Sequence, residues 1–432
     1  MTMLSQPIER EYVTHTPGER RRIKAAISLC VVYGCVGVLH SVPLGRQCVW
    51  GLGIVIFIQA LRLIFCRLRR AGAIPNNYQP SVSLLVAAKN EETVIERLVE
   101  QLTQIDYTPL EVWVVNDAST DRTGEILQQL QESLPQLKVL NRAPNSFGGK
   151  SGALNQVLPL TNGEIIGVFD ADAQITPDAL QQIIGLFAQP NIGAVQLRKS
   201  IFNRSVNFLT RGQAAEMAMD LWLQERRAGI GGIGELRGNG QFVRRSALLQ
   251  CGAWNEYTIT DDLDLTFRLH LNGWDIACVL HPAVEEEGVI TIKQLWHQRN
   301  RWAEGGYQRY LDYFPYLWRL RGSKAFDLWL FFLVQYLLPT ASVPDTLFSL
   351  GWGRFPLLLP LVALSFLLSF IAMFLGLRRA YKTPWWRALG ETVLGTVYLL
   401  HWLPVMISVT LRMAVRPKKL KWVKTVHLGH SA

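Results

Sequence analysis

Apolar residues are concentrated in long runs at the two ends of the chain. Residues 25–44 contain no Asp, Glu, Lys or Arg, and residues 48–66 form a second run whose one charged residue is Arg62. About 20 helical residues, at ~1.5 Å each, cross a bilayer core of ~30 Å. A long polar segment, residues 1–24, precedes these runs, which favours a transmembrane hairpin over 25–70 rather than a cleaved signal peptide.

Three further apolar runs lie in a C-terminal membrane region, residues 326–415, and they cover 326–349, 355–377 and 388–413. Basic residues flank the hairpin on both sides, which predicts that both flanks are cytoplasmic. The residues after the second of the three runs and the tail 416–432 are also basic. Two cytoplasmic flanks cannot bracket one spanning helix, so we expect about four spans in the chain and one interfacial helix.

The middle of the chain alternates short buried-type strands with helical segments, after a linker over 71–81. The expected strands are 82–88, 110–115, 137–140 and 165–169, and the expected helices include 92–102 and one capped by Thr120. This alternation predicts an α/β domain over 75–289 with a mostly parallel sheet, whose ligands bind at the carboxyl ends of the strands. Residues 205–325 are expected to be mainly helical.

Composition and charge narrow the function. Of the 432 residues, 49% are hydrophobic and only 18% are charged, as expected for a chain with membrane segments. The net charge of +10 comes largely from basic residues beside the apolar runs. We therefore expect topology signals and contacts with anionic membrane lipids, and no nucleic-acid partner. The six cysteines show no Cys-x-x-Cys spacing, so neither a zinc site nor a disulfide framework is indicated.

Two aspartates, Asp170 and Asp172, follow the strand over 165–169. Carboxylates at the carboxyl edge of a sheet suit a divalent cation, Mg²⁺ or Mn²⁺, which usually binds one or two carboxylates together with substrate phosphates. Taken alone, Asp-x-Asp is a weak signal and is more typical of a solvated turn at the end of a strand. The other motifs along the chain, described below, favour the interpretation as a cation site.

A second strand end carries Asn116 and Asp117, which could accept and donate hydrogen bonds to a nucleotide base. The alternative is an Asx turn that caps the following helix, and both uses are compatible. Lys150 lies in a glycine-rich helix start, where it could meet a phosphate beside free backbone N–H groups. The spacing of Gly148 and Gly149 differs from that of a phosphate-binding P-loop.

Three carboxylates begin a predicted helix in the segment Thr-Asp-Asp-Leu-Asp, residues 260–264. Negative charge at a helix N-terminus is favourable in itself, which is one explanation of the segment. Crowding also raises the proton affinity of a carboxylate, which suits a general base. We predict Asp262 as that base.

Residues 290–325 are rich in aromatic and arginine side chains, and they predict amphipathic helices at the level of the lipid headgroups. Within them, Gln298, Arg301 and Trp302 form a Gln-x-x-Arg-Trp motif. Arginine binds phosphate through two parallel hydrogen bonds, and a tryptophan ring stacks on a sugar or lies against lipid. An ordinary interfacial helix is the alternative.

The ordered series of motifs resembles the membrane-bound, inverting glycosyltransferases of family 2. The motifs are Ala-Ala-Lys-Asn-Glu-Glu (87–92), Asn-Asp-Ala-Ser-Thr-Asp (116–121), Gly-Gly-Lys-Ser-Gly-Ala-Leu-Asn (148–155), Asp-Ala-Asp (170–172), Thr-Asp-Asp (260–262) and Gln-x-x-Arg-Trp (298–302). The resemblance implies a GT-A fold and a nucleotide-diphosphate-sugar donor, usually UDP-linked. It implies a uridine contact for Asp117, a cation at Asp170 and Asp172, and a base at Asp262. It also implies that Gln298, Arg301 and Trp302 close over the diphosphate and the acceptor.

Two further blocks, residues 231–242 and 295–307, resemble the subfamily of bacterial beta-monoglucosyldiacylglycerol synthases. That resemblance implies glucosyl transfer from UDP-glucose to diacylglycerol at the cytoplasmic face of a membrane. The alternative is a processive synthase that polymerises and exports a polysaccharide. However, residues 237–241 read Arg-Gly-Asn-Gly-Gln where such synthases carry a small Gly-Ser segment. A transporter or receptor with a nucleotide-sensing domain would bind the donor without turnover.

Overall fold

A seven-stranded, mostly parallel sheet lies at the centre of the computed structural model, which describes residues 12–16, 18–66, 68 and 78–416. The strand order is β3-β2-β1-β4-β6-β5-β7, and β6 is antiparallel to both of its neighbours. The strands are β1 (Val82–Ala88), β2 (Leu110–Asn116), β3 (Leu137–Asn141), β4 (Ile165–Phe169), β5 (Ile192–Ile201), β6 (Gln241–Arg244) and β7 (Asp275–Glu286).

Helices precede, interleave with and follow these strands. In chain order they are α1 (Arg21–Ser41), α2 (Gly45–Ile64), α3 (Ile95–Thr103), α4 (Thr123–Ser133), α5 (Gly149–Val157), α6 (Ala179–Ile183), α7 (Phe208–Gly229), α8 (Arg245–Gln250), α9 (Asp261–Leu271), α10 (Ile292–Leu317), α11 (Gly322–Phe332), α12 (Leu338–Gly351), α13 (Leu359–Tyr381), α14 (Trp385–Leu399) and α15 (Trp402–Val415).

Both faces of the sheet are buried under helices. Side chains alternate between the faces of a strand, so Leu84 and Leu85 of β1 enter different core layers. The first layer includes Leu98 of α3, and the second includes Leu154 of α5 and Leu265 of α9. A strand buried on both faces is expected to be mainly apolar, which explains the apolar runs of β4 and, apart from Ser83, of β1.

The predicted α/β class and the mostly parallel sheet are confirmed, and the four expected strands lie within one residue of their observed ends. The expectation that residues 205–325 are mainly helical is wrong for β6 and β7, which join the sheet through pairing with β4 and β5. The expected cap at Thr120 is also wrong. Helix α4 begins at Thr123, where Asp121 Oδ1 accepts a hydrogen bond from the Thr123 N–H at 3.0 Å.

In the described residues, the apolar runs form five helical segments that are long and apolar enough to cross a membrane. They are Arg21–Ser41, Gly45–Ile64, Gly322–Gly351, Leu359–Tyr381 and Trp385–Val415. The third segment combines α11 with α12, and the fifth combines α14 with α15. How many of them cross, and in which direction, stays a prediction. Residues 1–11, most of the linker over 71–81, part of the basic flank after the hairpin, and all of the basic tail except Arg416 lie outside the described residues.

Buried ion pairs join the apolar helices to the sheet-centred region. Arg21 of α1 donates from Nε to Asp312 Oδ1 of α10 at 2.8 Å, and Arg227 of α7 donates from Nε to Asp327 Oδ2 of α11 at 2.9 Å. Helix α10 is buried along one side through residues such as Tyr313, while Trp318 just beyond its end stays exposed. The segment predicted as interfacial is therefore also part of the protein interior.

Candidate active site

One cavity of about 930 Å³ opens at the carboxyl ends of the central strands and continues between the apolar helices. The residues after β1, β2 and β4 lie at its polar end, because the carboxyl ends of neighbouring parallel strands meet at one edge of the sheet. Its other end is lined by side chains of the predicted spans, including Ile56 of α2, Val334, Val362 of α13 and Met406 of α15.

Asp117, which follows β2, lies at the polar end of the cavity and is contacted by two basic side chains. Its Oδ1 accepts from Arg142 Nη1 at 2.5 Å, and its Oδ2 lies 3.7 Å from Lys89 Nζ. Its neighbour Asn116 does not line the cavity. The Asn116 amide donates to Asn141 Oδ1 at 2.9 Å and its carbonyl accepts from the Ser119 N–H at 3.1 Å, as in an Asx turn.

Lys150 lies in the first turn of α5 and makes an ion pair with Asp170. The helix start is shaped by Gly148, whose φ of 91° favours glycine and whose missing Cβ would lie 2.5 Å from Glu256 Oε2. Burial opposes the charge of Lys150, but Asp170 and Asp261 outweigh it and raise its pKa. Burial likewise opposes ionisation of Asp170, whereas Lys150, Lys199 and Arg301 hold the pKa of Asp170 below its usual value.

The two strand-end aspartates fit a divalent cation. Asp170 and Asp172 both line the cavity, and the Asp172 carboxylate is fixed because Oδ2 accepts from the Glu287 N–H at 3.0 Å. In the described part of the chain, no group of three or more His, Cys, Asp or Glu side chains gathers into a complete metal site. Two carboxylates are the usual protein share when a cation also binds substrate phosphates.

Asp262 lies in the first turn of α9, on the wall of the same cavity. Burial and the like charge of Asp261 raise the pKa of Asp262 to about 6, although Lys150 and Arg237 oppose the shift. A glycine lies beside this carboxylate, since a Cβ on Gly238 would lie 3.4 Å from Asp262 Oδ2. A half-buried carboxylate with a pKa near neutrality has the properties of a general base.

The Gln-x-x-Arg-Trp motif lies in α10, and Gln298, Arg301 and Trp302 all line the cavity. The Trp302 ring is held between cationic side chains, with the Arg299 guanidinium carbon 4.0 Å from its centroid and Lys199 Nζ at 5.2 Å. Such contacts fix the plane of the ring. Burial lowers the pKa of Arg301, while Asp170 and Asp262 favour its charged form.

The structure therefore brings together every predicted site residue except Asn116. It also adds residues that the sequence reasoning missed, namely Lys89, Arg142, Lys199 and Glu286. Lys89 follows β1 and Arg142 follows β3, so the position at a strand end was the available signal. Lys199 forms an ion pair with Glu286 at 2.8 Å because β5 and β7 are neighbouring strands. The local sequence around either residue does not predict this contact.

The chain belongs to the glycosyltransferases of family 2, because residues 80–305 match the family described as "Glycosyltransferase like family 2". The matched segment contains every residue of the polar end named above. The chain is thus an enzyme of the glycosyltransferase class, as the motifs indicated.

Relatives that match nearly the whole chain include synthases from two organisms. The beta-monoglucosyldiacylglycerol synthase of Nostoc sp. (strain PCC 7120) is 53% identical over 95% of this chain and 90% of its own length. The synthase of the same name from Synechocystis sp. is 52% identical over 95% of this chain and 89% of its own length. The resemblance to this subfamily is confirmed.

Among solved structures, the mannosyltransferase PcManGT from Pyrobaculum calidifontis, in complex with GDP-Man and Mn²⁺, has a TM-score of 0.55 to this chain. The match covers 88% of this chain and 99% of the other at 20% sequence identity. At that identity the likeness concerns the fold, and the expected GT-A fold is confirmed.

Proposed function

We propose that the chain transfers glucose from UDP-glucose to the free hydroxyl of diacylglycerol, with inversion at the sugar, to make beta-monoglucosyldiacylglycerol. The observation that carries the proposal is the continuity of the cavity, which joins Asp170, Asp172 and Asp262 to the apolar helices. A cavity with a polar end and an apolar end allows a water-soluble donor and a lipid acceptor to meet. Relatives at 53% and 52% identity bear the name of this activity.

The polar end has groups for each part of the donor. Asp117, oriented by Arg142, is assigned to the uracil N–H, while Lys150, Gln298 and Arg301 are assigned to the diphosphate. Asp170 and Asp172 would hold Mg²⁺ or Mn²⁺, which when bound neutralises charge on the diphosphate. The mannosyltransferase of similar fold was solved with Mn²⁺, which supports a divalent cation in this proposal.

The chemistry requires one proton acceptor and fixed positive charge. Asp262 takes the proton from the acceptor hydroxyl as the hydroxyl oxygen forms a bond to the anomeric carbon. The bond between that carbon and the UDP oxygen breaks on the opposite face, and UDP leaves with the electron pair. Lys150 and Arg301, which both line the cavity, stabilise the charge that grows on UDP.

The orientation in the membrane belongs to the same proposal. Basic residues such as Arg22 and Lys24 precede the hairpin, and Arg378 and Arg379 end α13. Under the positive-inside rule these flanks lie in the cytoplasm, where UDP-sugars are available, and they meet anionic lipids there. Protease accessibility of tags in sealed vesicles tests this orientation independently of activity.

The direct test is to incubate the purified protein with labelled UDP-glucose, UDP-galactose and UDP-N-acetylglucosamine in diacylglycerol-containing vesicles. We expect label from UDP-glucose in the organic extract as one hexose per glycerolipid, with β configuration by NMR. A product that lengthens with time would support the processive alternative. Donor binding without transfer or hydrolysis would support a nucleotide sensor and overturn the proposal.

A further inference from the structure

A cluster of six ionisable side chains lies on the wall of the cavity and is not explained by the donor chemistry. We call it the arginine cluster, and its members are Asp220, Arg227, Glu235, Arg237, Arg309 and Asp327. They come from α7, α10, α11 and the segment before β6. Elements distant in sequence thus converge on one point of the cavity.

The charges of the arginine cluster balance, since it contains three guanidinium and three carboxylate groups. Arg237 pairs with Asp220 at 2.7 Å and with Glu235 at 2.7 Å, and Arg309 Nη2 lies 3.2 Å from Glu235 Oε1. Burial would raise the pKa of Glu235, but the three arginines hold it well below its usual value, so Glu235 stays ionised. A neutral cluster gives an anionic ligand no net attraction.

Hydrogen-bonding capacity remains in this cluster even though its charges balance. In the described part of the chain, Arg227 Nη2 and Arg309 Nε and Nη1 are buried and make no hydrogen bond, and Arg227 Nη1 makes none either but lies 3.7 Å from Glu235 Oε1. Arg227 and Arg309 are only 3% and 2% exposed, and both line the cavity. Buried N–H donors without acceptors are costly, so the arrangement suits a ligand that brings uncharged acceptor oxygens.

The arginine cluster adjoins both the predicted base, Asp262, and the apolar part of the cavity. Arg237 precedes Gly238, which lies beside Asp262, and the charge of Arg237 acts on that carboxylate. On the other side, the Phe331 ring centroid lies 3.9 Å from the Arg227 guanidinium carbon, and Phe331 begins the apolar wall with Leu330. The arginine cluster therefore lies between Asp262 and this part of the apolar wall.

We propose that Arg227 and Arg309 form an acceptor subsite that donates hydrogen bonds to the ester carbonyl oxygens of the glycerolipid. In a 1,2-diacylglycerol the hydroxyl is on the third glycerol carbon and the two acyl groups are esterified to the other two carbons. The two carbonyls therefore lie between the free hydroxyl and the hydrocarbon chains. The subsite orients the hydroxyl toward Asp262 and makes the enzyme selective for ester-linked, uncharged glycerolipids. This inference rests on the proposed function and specifies how its acceptor is chosen.

The test compares diacylglycerol with a dialkylglycerol of equal chain length, which has the same hydroxyl but ether oxygens in place of the ester groups. For the unaltered protein we expect kcat/KM to be at least about tenfold higher for the diester, as one charged hydrogen bond implies. Arg227→Lys and Arg309→Lys keep the charge but lose the planar donors. In each variant the diester-to-diether ratio should fall toward one, with the KM for UDP-glucose unchanged.

Arg268→Lys is the matched control, because Arg268 is equally buried and paired with Asp264 but does not line the cavity. It should keep the diester-to-diether ratio of the unaltered protein, whatever it does to thermal stability. Equal use of both lipids by the unaltered protein, or variants that lose both activities in proportion, would overturn the subsite and leave glucosyl transfer intact. No transfer to either lipid, with the donor intact, would instead refute the proposed function.

Discussion

Two aspartate pairs face the same cavity, yet the structure gives them opposite electrostatic surroundings. Asp170 follows β4 and is ion-paired with Lys150, so its pKa lies below the usual value despite burial. Asp262 lies in the first turn of α9 next to Asp261, and burial together with that like charge raises its pKa to about 6. Asp170 is thereby suited to hold charge, and Asp262 to accept a proton.

The comparison shows that neighbouring charges shift the pKa values of two carboxyl groups that line the cavity in opposite directions. Lys150 acts on both pairs, but it bonds directly to Asp170 and only weakens the shift at Asp262. A difference of one pKa unit corresponds to about 1.4 kcal/mol between the protonation states. Sites that run acid–base chemistry commonly separate the pKa values of neighbouring carboxyl groups in this way.

The largest loss of activity is expected from a substitution of Asp262. Asp262→Asn should lower kcat for glucolipid formation by about 10²–10⁴-fold, since an amide cannot accept the acceptor proton. Binding of UDP-glucose, measured by calorimetry, should persist. Asp178→Asn, at an exposed carboxylate outside the cavity, is the control and should behave as the unaltered protein. Normal turnover in Asp262→Asn would remove the base assignment.

The strand-end pair should respond differently. Asp170→Asn should reduce transfer by roughly a hundredfold through lost stabilisation of the diphosphate, and it should weaken donor binding as well. Chelation of divalent cations should abolish transfer by the unaltered protein, with recovery on addition of Mg²⁺ or Mn²⁺. Rates that are unaffected by chelation, together with unchanged donor affinity in Asp170→Asn, would contradict a cation at this pair.

The smallest expected effect is a displacement of the pH profile. Asp262 acts as a base only when deprotonated, so kcat/KM should rise with pH through about 6. Asp261→Asn removes the like charge that raises the pKa of Asp262, and the acid limb should move to lower pH. The measurement is kcat/KM for diacylglycerol at several pH values. A limb that stays in place or moves upward would show that Asp261 does not tune Asp262.

Much of the fold was predictable because β1 and β4 are buried on both faces and are almost entirely apolar, and β2 is mainly apolar as well. β6 and β7 were not predictable in the same way. β6 has only four residues, and β7 contains polar and charged positions such as His281 and Glu285. Their strand conformation follows from pairing with β4 and β5, which are distant in sequence.

The site residues also divide into those that the local sequence could predict and those that it could not. Asp117, Asp170 and Asp172 could be predicted because strand ends converge at one edge of a parallel sheet, and Asp262 because carboxylates crowd one helix start. Arg227 and Arg309 could not, because an arginine in a helix gives no local sign of the cavity it will face. Asn116 was predicted as a site residue because it ends a strand, but its side chain bonds to Asn141 and to the turn at Ser119 instead of lining the cavity.

The cavity takes its wall from Ile56 near one end of the chain and from Met406 near the other. During synthesis, the residues around Asp170 and Asp262 leave the ribosome long before α15 exists. A nascent or C-terminally truncated polypeptide would therefore have the donor groups without an enclosed compartment for the lipid. We therefore expect that transfer requires α15, the helix nearest the C-terminus among the described residues, to pack against the other helices that line the cavity.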